Sequence, residues 1–138
     1  MKKAISLIML AIICFACNNH KSSNDLSNEV ENQITSNAKF QLFPTQNMWN
    51  FIKLNTQTGE MWQVQYSIND DNNRVSVTLN NRVLVESNDK KVNGRFTLYP
   101  TQNMYTFLLL DNIDGRVWQV QWSTEDGNRG IVDRIRDF

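Results

Sequence analysis

The sequence predicts an all-β fold, a small antiparallel sandwich or barrel of about seven or eight strands built from two pseudo-symmetric three-stranded meanders. Three observations lead there. Residues 40–67 recur as residues 96–123, with fifteen of twenty-eight paired positions identical. Within each copy apolar and polar residues alternate with a period of two, the spacing of a half-buried strand. Each copy also carries a glycine, Gly59 or Gly115, between its two longest apolar runs, where a four- or five-residue hairpin loop needs a positive φ.

Each element has its own reason. Phe40 to Phe43 and Phe96 to Tyr99 form a leading strand in each copy, closed by Pro44 or Pro100. Proline keeps the preceding residue extended and removes a ladder donor. Trp49 to Leu54 and Tyr105 to Leu110 are apolar on both faces in places, as in a central strand covered from two sides. After the glycine loops, Trp62, Val64 and Tyr66 alternate with Met61, Gln63 and Gln65, and Trp118, Val120 and Trp122 alternate with Val117, Gln119 and Gln121. The tryptophans are expected in the core and the glutamines, Gln63, Gln65, Gln119 and Gln121, on a solvated face, where amides beside aromatic rings also form a second candidate surface for sugars or peptide backbone. Between the copies a connecting hairpin is expected over residues 74–86, turning at Asn80-Asn81 in a type I′ geometry that asparagine tolerates. Gly130 to Phe138 is expected to supply a last strand. Two copies are too few for an open solenoid, so they are expected to pack on each other about a pseudo-twofold.

The chain divides into three parts. Residues 1–16 have a basic start, Lys2 and Lys3, followed by an apolar run from Ala4 to Ala16 broken only by Ser6 and Cys14. That run is shorter than the roughly 20 residues a spanning helix needs, and it suits a signal peptide. Residues 17–38 are rich in Asn and Ser, with few apolar residues and no Phe, Trp or Tyr, the composition of a flexible tether with an r.m.s. span of about 25 Å. Leu26, Val30 and Ile34 also permit a short amphipathic helix. Residues 39–138 are enough for one modest β domain.

Composition excludes several chemistries. The two cysteines are Cys14 and Cys17, and the only histidine is His20, so residues 39–138 hold no thiolate nucleophile, disulfide, cysteine metal site or histidine-based triad. No catalytic residue, cofactor or metal is expected. Fourteen basic residues less Lys2 and Lys3 leave twelve against fourteen acidic ones, a formal charge of −2 after residue 16. That balance offers no electrostatic footprint for nucleic acid. Asp70-Asp71, Asp111/Asp114 and Glu125-Asp126 fall in expected loops, where a calcium site or an acid/base pair is conceivable, although no spacing matches a calcium-binding loop.

The candidate ligand-binding residues are Thr45, Gln46, Asn47 and Trp49 with their counterparts Thr101, Gln102, Asn103 and Tyr105. These polar loops match in both copies while neighbouring positions have drifted, and Trp49 and Tyr105 stand where an exposed ring would stack on a ligand. The competing structural reading makes Asn47 and Asn103 the hearts of Asx turns, with the threonines bonding locally.

Three resemblances add to this. Cys14-Phe15-Ala16-Cys17 resembles a bacterial lipobox, with Cys14 standing where that pattern usually has leucine. The resemblance implies lipid attachment at Cys17 and a membrane anchor. The Pro-Thr-Gln-Asn-Met unit followed by Gly and Trp-Gln-Val-Gln, Leu42 to Gln65 and Leu98 to Gln121, resembles small uncharacterised lipoproteins of Bacteroidota, which implies an envelope location and brings no activity. Leu54 to Gly59 followed by Trp62 is similar to hairpins in quinoprotein-type β-propeller blades, a similarity of hairpin chemistry, since two copies cannot close a propeller. The expected function is that of a non-catalytic envelope lipoprotein, facing the periplasm from the outer membrane, that binds a protein or glycan partner. The alternatives are an inhibitor or immunity protein acting on a toxin or lytic enzyme, and a carboxylate-dependent glycan hydrolase.

Overall fold

The computed structural model describes residues 37–69 and 71–138. The expected signal segment, Cys17 and nearly all of the tether therefore lie outside the described residues. Eight strands run in chain order: β1 (Phe40–Pro44), β2 (Asn50–Asn55), β3 (Met61–Gln65), β4 (Val75–Asn80), β5 (Phe96–Pro100), β6 (Thr106–Asp111), β7 (Val117–Gln121) and β8 (Gly130–Arg134). They form two antiparallel sheets, β1-β2-β3-β4 and β5-β6-β7-β8. The fold is all-β and is not closed into a barrel.

The expected meanders are four-stranded, because each copy recruits the strand that follows it. β4 pairs with β3 from Gln65↔Val75 to Met61↔Asn80, and β8 pairs with β7 from Gln121↔Gly130 to Trp118↔Arg134, each pairing with one register shift. The two hairpins share their register, Lys53↔Trp62 matching Leu109↔Trp118. Gly59 and Gly115 take φ of 77° and 76°, as their loops require.

The connecting hairpin over 74–86 does not form. Residues 82–86 make no strand, and among the described residues no non-glycine residue has positive φ, so Asn80-Asn81 cannot adopt a type I′ turn. The Asn80 side chain explains the departure. Its Oδ1 accepts from the Arg82 N–H at 3.1 Å, and its Nδ2 donates to the carbonyls of Arg82 at 2.8 Å and Gly59 at 2.9 Å. The chain is thus tied to the first glycine loop, where the Leu84 N–H donates to the Thr58 carbonyl at 2.8 Å. Val85 then enters the core. Residues 81–95 form a strap from one sheet to the next.

The sheets stack face to back. In each sheet one face carries the tryptophan (Phe51, Lys53, Trp62 and Val64; Phe107, Leu109, Trp118 and Val120) and the other carries the first glutamine (Ile52, Leu54, Met61 and Gln63; Leu108, Leu110, Val117 and Gln119). The common core holds Ile52, Leu54 and Met61 from the glutamine face of the first sheet and Phe96, Leu98, Phe107, Leu109, Trp118 and Val120 from the tryptophan face of the second. Like faces do not meet, so the expected pseudo-twofold is absent. Lys53 supplies the physical reason: it stands where the second sheet has Leu109, and an unpaired ammonium is too costly to bury. The expectation for the tryptophans therefore holds for Trp118 and fails for Trp62, which is only half-buried. The glutamine expectation fails for Gln63, which is 3% exposed.

Thr56 joins the sheets at one end. Its carbonyl accepts the Phe96 N–H at 2.9 Å, its N–H donates to the Lys39 carbonyl at 2.8 Å, and its Oγ1 accepts the Gly94 N–H at 3.0 Å. Three separate stretches of chain meet on this one fully buried residue.

Candidate functional site

The repeated loops are built by their own side chains. Thr45 Oγ1 lies 2.9 Å from the carbonyls of Asn47 and Asn50 and accepts the Asn47 N–H at 3.1 Å, while Asn47 Oδ1 accepts the Trp49 N–H at 2.9 Å. In the second copy Thr101 Oγ1 lies 3.1 Å from the Asn103 carbonyl and 2.9 Å from that of Thr106. Asn103 Oδ1 there accepts the Tyr105 N–H at 3.0 Å. These are Asx turns reinforced by a threonine. The identity of Thr45, Asn47, Thr101 and Asn103 thus has a structural cause. Gln46 and Gln102 remain exposed at the loop tips.

The two loops come together at one end of the stacked sheets. They enclose a small cleft of about 120 Å³ lined by Thr45 and Gln46 on one side and Thr101 and Asn103 on the other. A larger cleft of about 320 Å³ opens beside the first loop, where Asn47, Trp49 and Asn50 meet Gln65 and Tyr66 at the end of β3, with Thr124 contributed from the loop after β7. Among the described residues, none lining it is charged.

Two aromatic rings set its character. Trp49 and Tyr66 lie with centroids 5.3 Å apart at 58°, and the Tyr66 N–H donates to the Trp49 carbonyl at 3.0 Å. In the second copy the rings are exchanged: Tyr105 meets Trp122 at 5.5 Å and 49°. Trp122 is 1% exposed and its indole N–H donates to the Met104 carbonyl at 2.8 Å. Tyr66 is 41% exposed. The tryptophan of the pair is therefore half-buried and the tyrosine exposed in the first copy, whereas in the second the tryptophan is sealed and only Tyr105, 45% exposed, stays open.

Asn50 forms the polar floor. It is 2% exposed, and its Oδ1 accepts from Gln63 Nε2 at 3.0 Å. Gln63 Oε1 is buried without a hydrogen-bond partner. A cleft whose described lining is amides and aromatic rings without charge suits a neutral ligand rich in hydroxyls or amides, since such groups donate and accept in turn while a ring face stacks on C–H surface.

Of the eight candidate ligand-binding residues, Asn47 and Trp49 line the larger cleft, while Thr45, Gln46, Thr101 and Asn103 line the smaller one. Gln102 and Tyr105 line neither. Sequence reasoning misses Asn50 and Tyr66, which fit their strands, while Gln65 belongs to the amide face that the sequence offers as a second candidate. The exchange of Trp49/Tyr66 for Tyr105/Trp122 at equivalent positions was the available signal.

The carboxylates are engaged elsewhere. Arg95, 2% exposed, places Nε 3.1 and 2.9 Å from the two oxygens of Asp111, and its Nη2 is 2.9 Å from Asp89 Oδ2 and 3.4 Å from Asp114 Oδ2. Arg116 Nε lies 2.5 Å from Asp114 Oδ2. For Asp114, burial pushes its pKa up, but the N–H and guanidinium of Arg116 outweigh this and hold it below the ordinary carboxylate value. Burial likewise opposes the charge of Arg95, and the carboxylates of Asp89 and Asp111 more than offset it, raising its pKa. Asp126 pairs with Arg129, and Glu125 accepts from Asn128 at 2.8 Å. Asp70 lies outside the described residues. Among the described residues no group of three or more His, Cys, Asp or Glu stands close enough to share a metal ion.

No protein-family model matches this chain, and no curated protein or solved structure matches it either.

Proposed function

We propose that this chain is a non-catalytic, lipid-anchored binding module of the bacterial cell envelope that recognises a neutral glycan in the cleft between the first repeated loop and the end of β3. The observation carrying this reading is the pair of half-buried Trp49 and exposed Tyr66 over a floor of Asn50 and Gln65, with no charged side chain among the described residues of the lining. Sugars are bound by this combination of a ring face and fixed amides. The sequence features at residues 1–17 support the anchor, with Cys17 as its attachment point.

A second reading is a protein partner, such as a toxin or lytic enzyme held in check. It is favoured by Ile68, an exposed apolar side chain in the cleft wall, and by Met48, which is exposed in the first loop. The full chain and its Trp49→Ala variant, applied to an array of neutral envelope glycans, test the proposal. Binding that falls at least about tenfold in the variant, without turnover of the glycan, is the expected result. An absence of glycan binding together with one stoichiometric protein partner from envelope extract favours the second reading. Glycan turnover would remove both.

A further inference from the structure

Face-to-back stacking leaves two unlike faces without a partner among the described residues. One is the tryptophan face of the first sheet, with Phe40, Leu42, Phe51, Lys53, Trp62 and Val64. The other is the glutamine face of the second sheet, with Leu108, Leu110, Val117 and Gln119. Neither is an ordinary solvated sheet face. Phe40 is 49% exposed and Leu42 60%, whereas their counterparts Phe96 and Leu98 in the second sheet are 0% and 3% exposed. Leu108 and Leu110 are half-buried where Ile52 and Leu54 are sealed.

What covers such faces is already present in the molecule. The core is the contact of one glutamine face (Ile52, Leu54 and Met61) with one tryptophan face (Phe96, Leu98, Leu109, Trp118 and Val120). The two open faces are one of each kind, on opposite sides of the stack and in the same strand register. From this we infer that a second copy of the chain docks head to tail, its open glutamine face covering the open tryptophan face of the first and repeating the internal contact between molecules.

The departures from the internal contact are complementary in charge. On the tryptophan face Lys53 replaces Leu109, and its ammonium sits 4.6 Å from the ring centroid of Trp62. On the glutamine face Asp133, which pairs with Gln119, stands where the first sheet has Val77 paired with Gln63. One face has gained a cation and the other an anion, so an intermolecular copy of the contact brings opposite charges to positions where the internal contact has the apolar Leu109 and Val77. Such pairing fixes register and partner. A contact between unlike faces closes into a ring or continues as a filament. Radial stacks of four-stranded sheets close at about four to eight sheets, corresponding to about two to four copies here. This inference is independent of the glycan cleft.

Sedimentation of the full chain under reducing conditions, in a density-matched detergent, tests it. Three samples are needed: the native chain, Leu42→Glu on the tryptophan face, and Leu110→Glu on the glutamine face, each checked for its β-sheet circular dichroism. Should either variant fail to fold, Lys53→Glu and Leu108→Glu replace them on the same faces. The native chain is expected to sediment as a multiple of the monomer mass, discrete for a ring and rising with concentration for a filament. Each variant alone is expected to be monomeric, and the two mixed are expected to form a one-to-one dimer, because each retains the face that the other has lost. A monomeric native chain at high micromolar concentration overturns the inference. So does a mixture that stays monomeric, which is the behaviour of a symmetric like-to-like contact.

Discussion

Trp62 and Trp118 occupy the same register position in the same Trp-Gln-Val-Gln sequence, yet Trp118 lies in the core at 6% exposure while Trp62 lies half-buried beneath the ammonium of Lys53. Their unequal surroundings give a direct test of the face-to-back stack. Trp118→Ala removes a ring packed among core side chains and is expected to cost about 3–5 kcal/mol. Trp62→Ala loses partial burial and a cation–π contact and is expected to cost about 1–2 kcal/mol in the monomer. Urea unfolding of both variants measures the difference, and equal losses would mean that the two faces are equivalent after all.

The Arg95 guanidinium and the Asp111 carboxylate are both almost completely enclosed, with side-chain exposures of 1% and 0%. Removing one member strands the other. Arg95→Ala is expected to destabilise the fold by about 3–5 kcal/mol, because the Asp111 charge then lies buried with only the more distant Arg116 to meet it. Replacing both residues by leucine is expected to recover much of that loss, a non-additivity that a double-mutant cycle reads out.

Acid should act through Asp114. Its pKa is held below the ordinary carboxylate value in the folded chain, so the unfolded chain takes up the proton first as pH falls. The associated stability is fully present above the unfolded pKa and is lost as pH drops through the lower folded value. Chemical denaturation from neutral pH into the acid range is expected to show a fall in stability that Asp114→Asn makes shallower. An unchanged slope in that variant would place the acid sensitivity elsewhere.

Gly59 and Gly115 share the same positive φ but not the same neighbours. A Cβ at Gly59 would meet Leu84 Cδ1 at 2.8 Å, whereas at Gly115 nothing lies within 4 Å. Gly115→Ala is expected to cost only the left-handed penalty of about 1–2 kcal/mol. Gly59→Ala should cost more, since the strap carrying Leu84 must shift as well. Thermal unfolding of the pair orders them, and a larger loss at Gly115 would contradict the strap's position.

Much of this fold is legible in the sequence. Period-two alternation, the prolines at 44 and 100 and the glycines at 59 and 115 locate six of the eight strands. β4 and β8 are each legible as strands but not as the fourth members of their sheets; for β4 the turn signal at Asn80-Asn81 points to residues 82–86 as its partner, where the structure pairs it back on β3. The strap itself was misread as a hairpin. Two consecutive asparagines carry the same turn signal whether they turn by backbone geometry or, as Asn80 does, by a side chain bonded to a distant loop. The stacking order was present in one substitution, lysine for leucine at 53 and 109, but its weight depends on knowing that only one tryptophan face could be buried. At the candidate site, Asn47 and Trp49 were legible from the repeat. Asn50 and Tyr66 were not, because each also fits its strand.

The glycan-cleft reading is tested most directly by the four tryptophan indole N–H signals of the isotope-labelled chain in a nuclear magnetic resonance titration with a neutral glycan that binds on the array. Trp49 is the only tryptophan lining the cleft. Its signal is expected to move with saturation while those of Trp62, Trp118 and Trp122 stay in place. Saturable binding that leaves Trp49 unmoved, or that moves Trp62 instead, would contradict it.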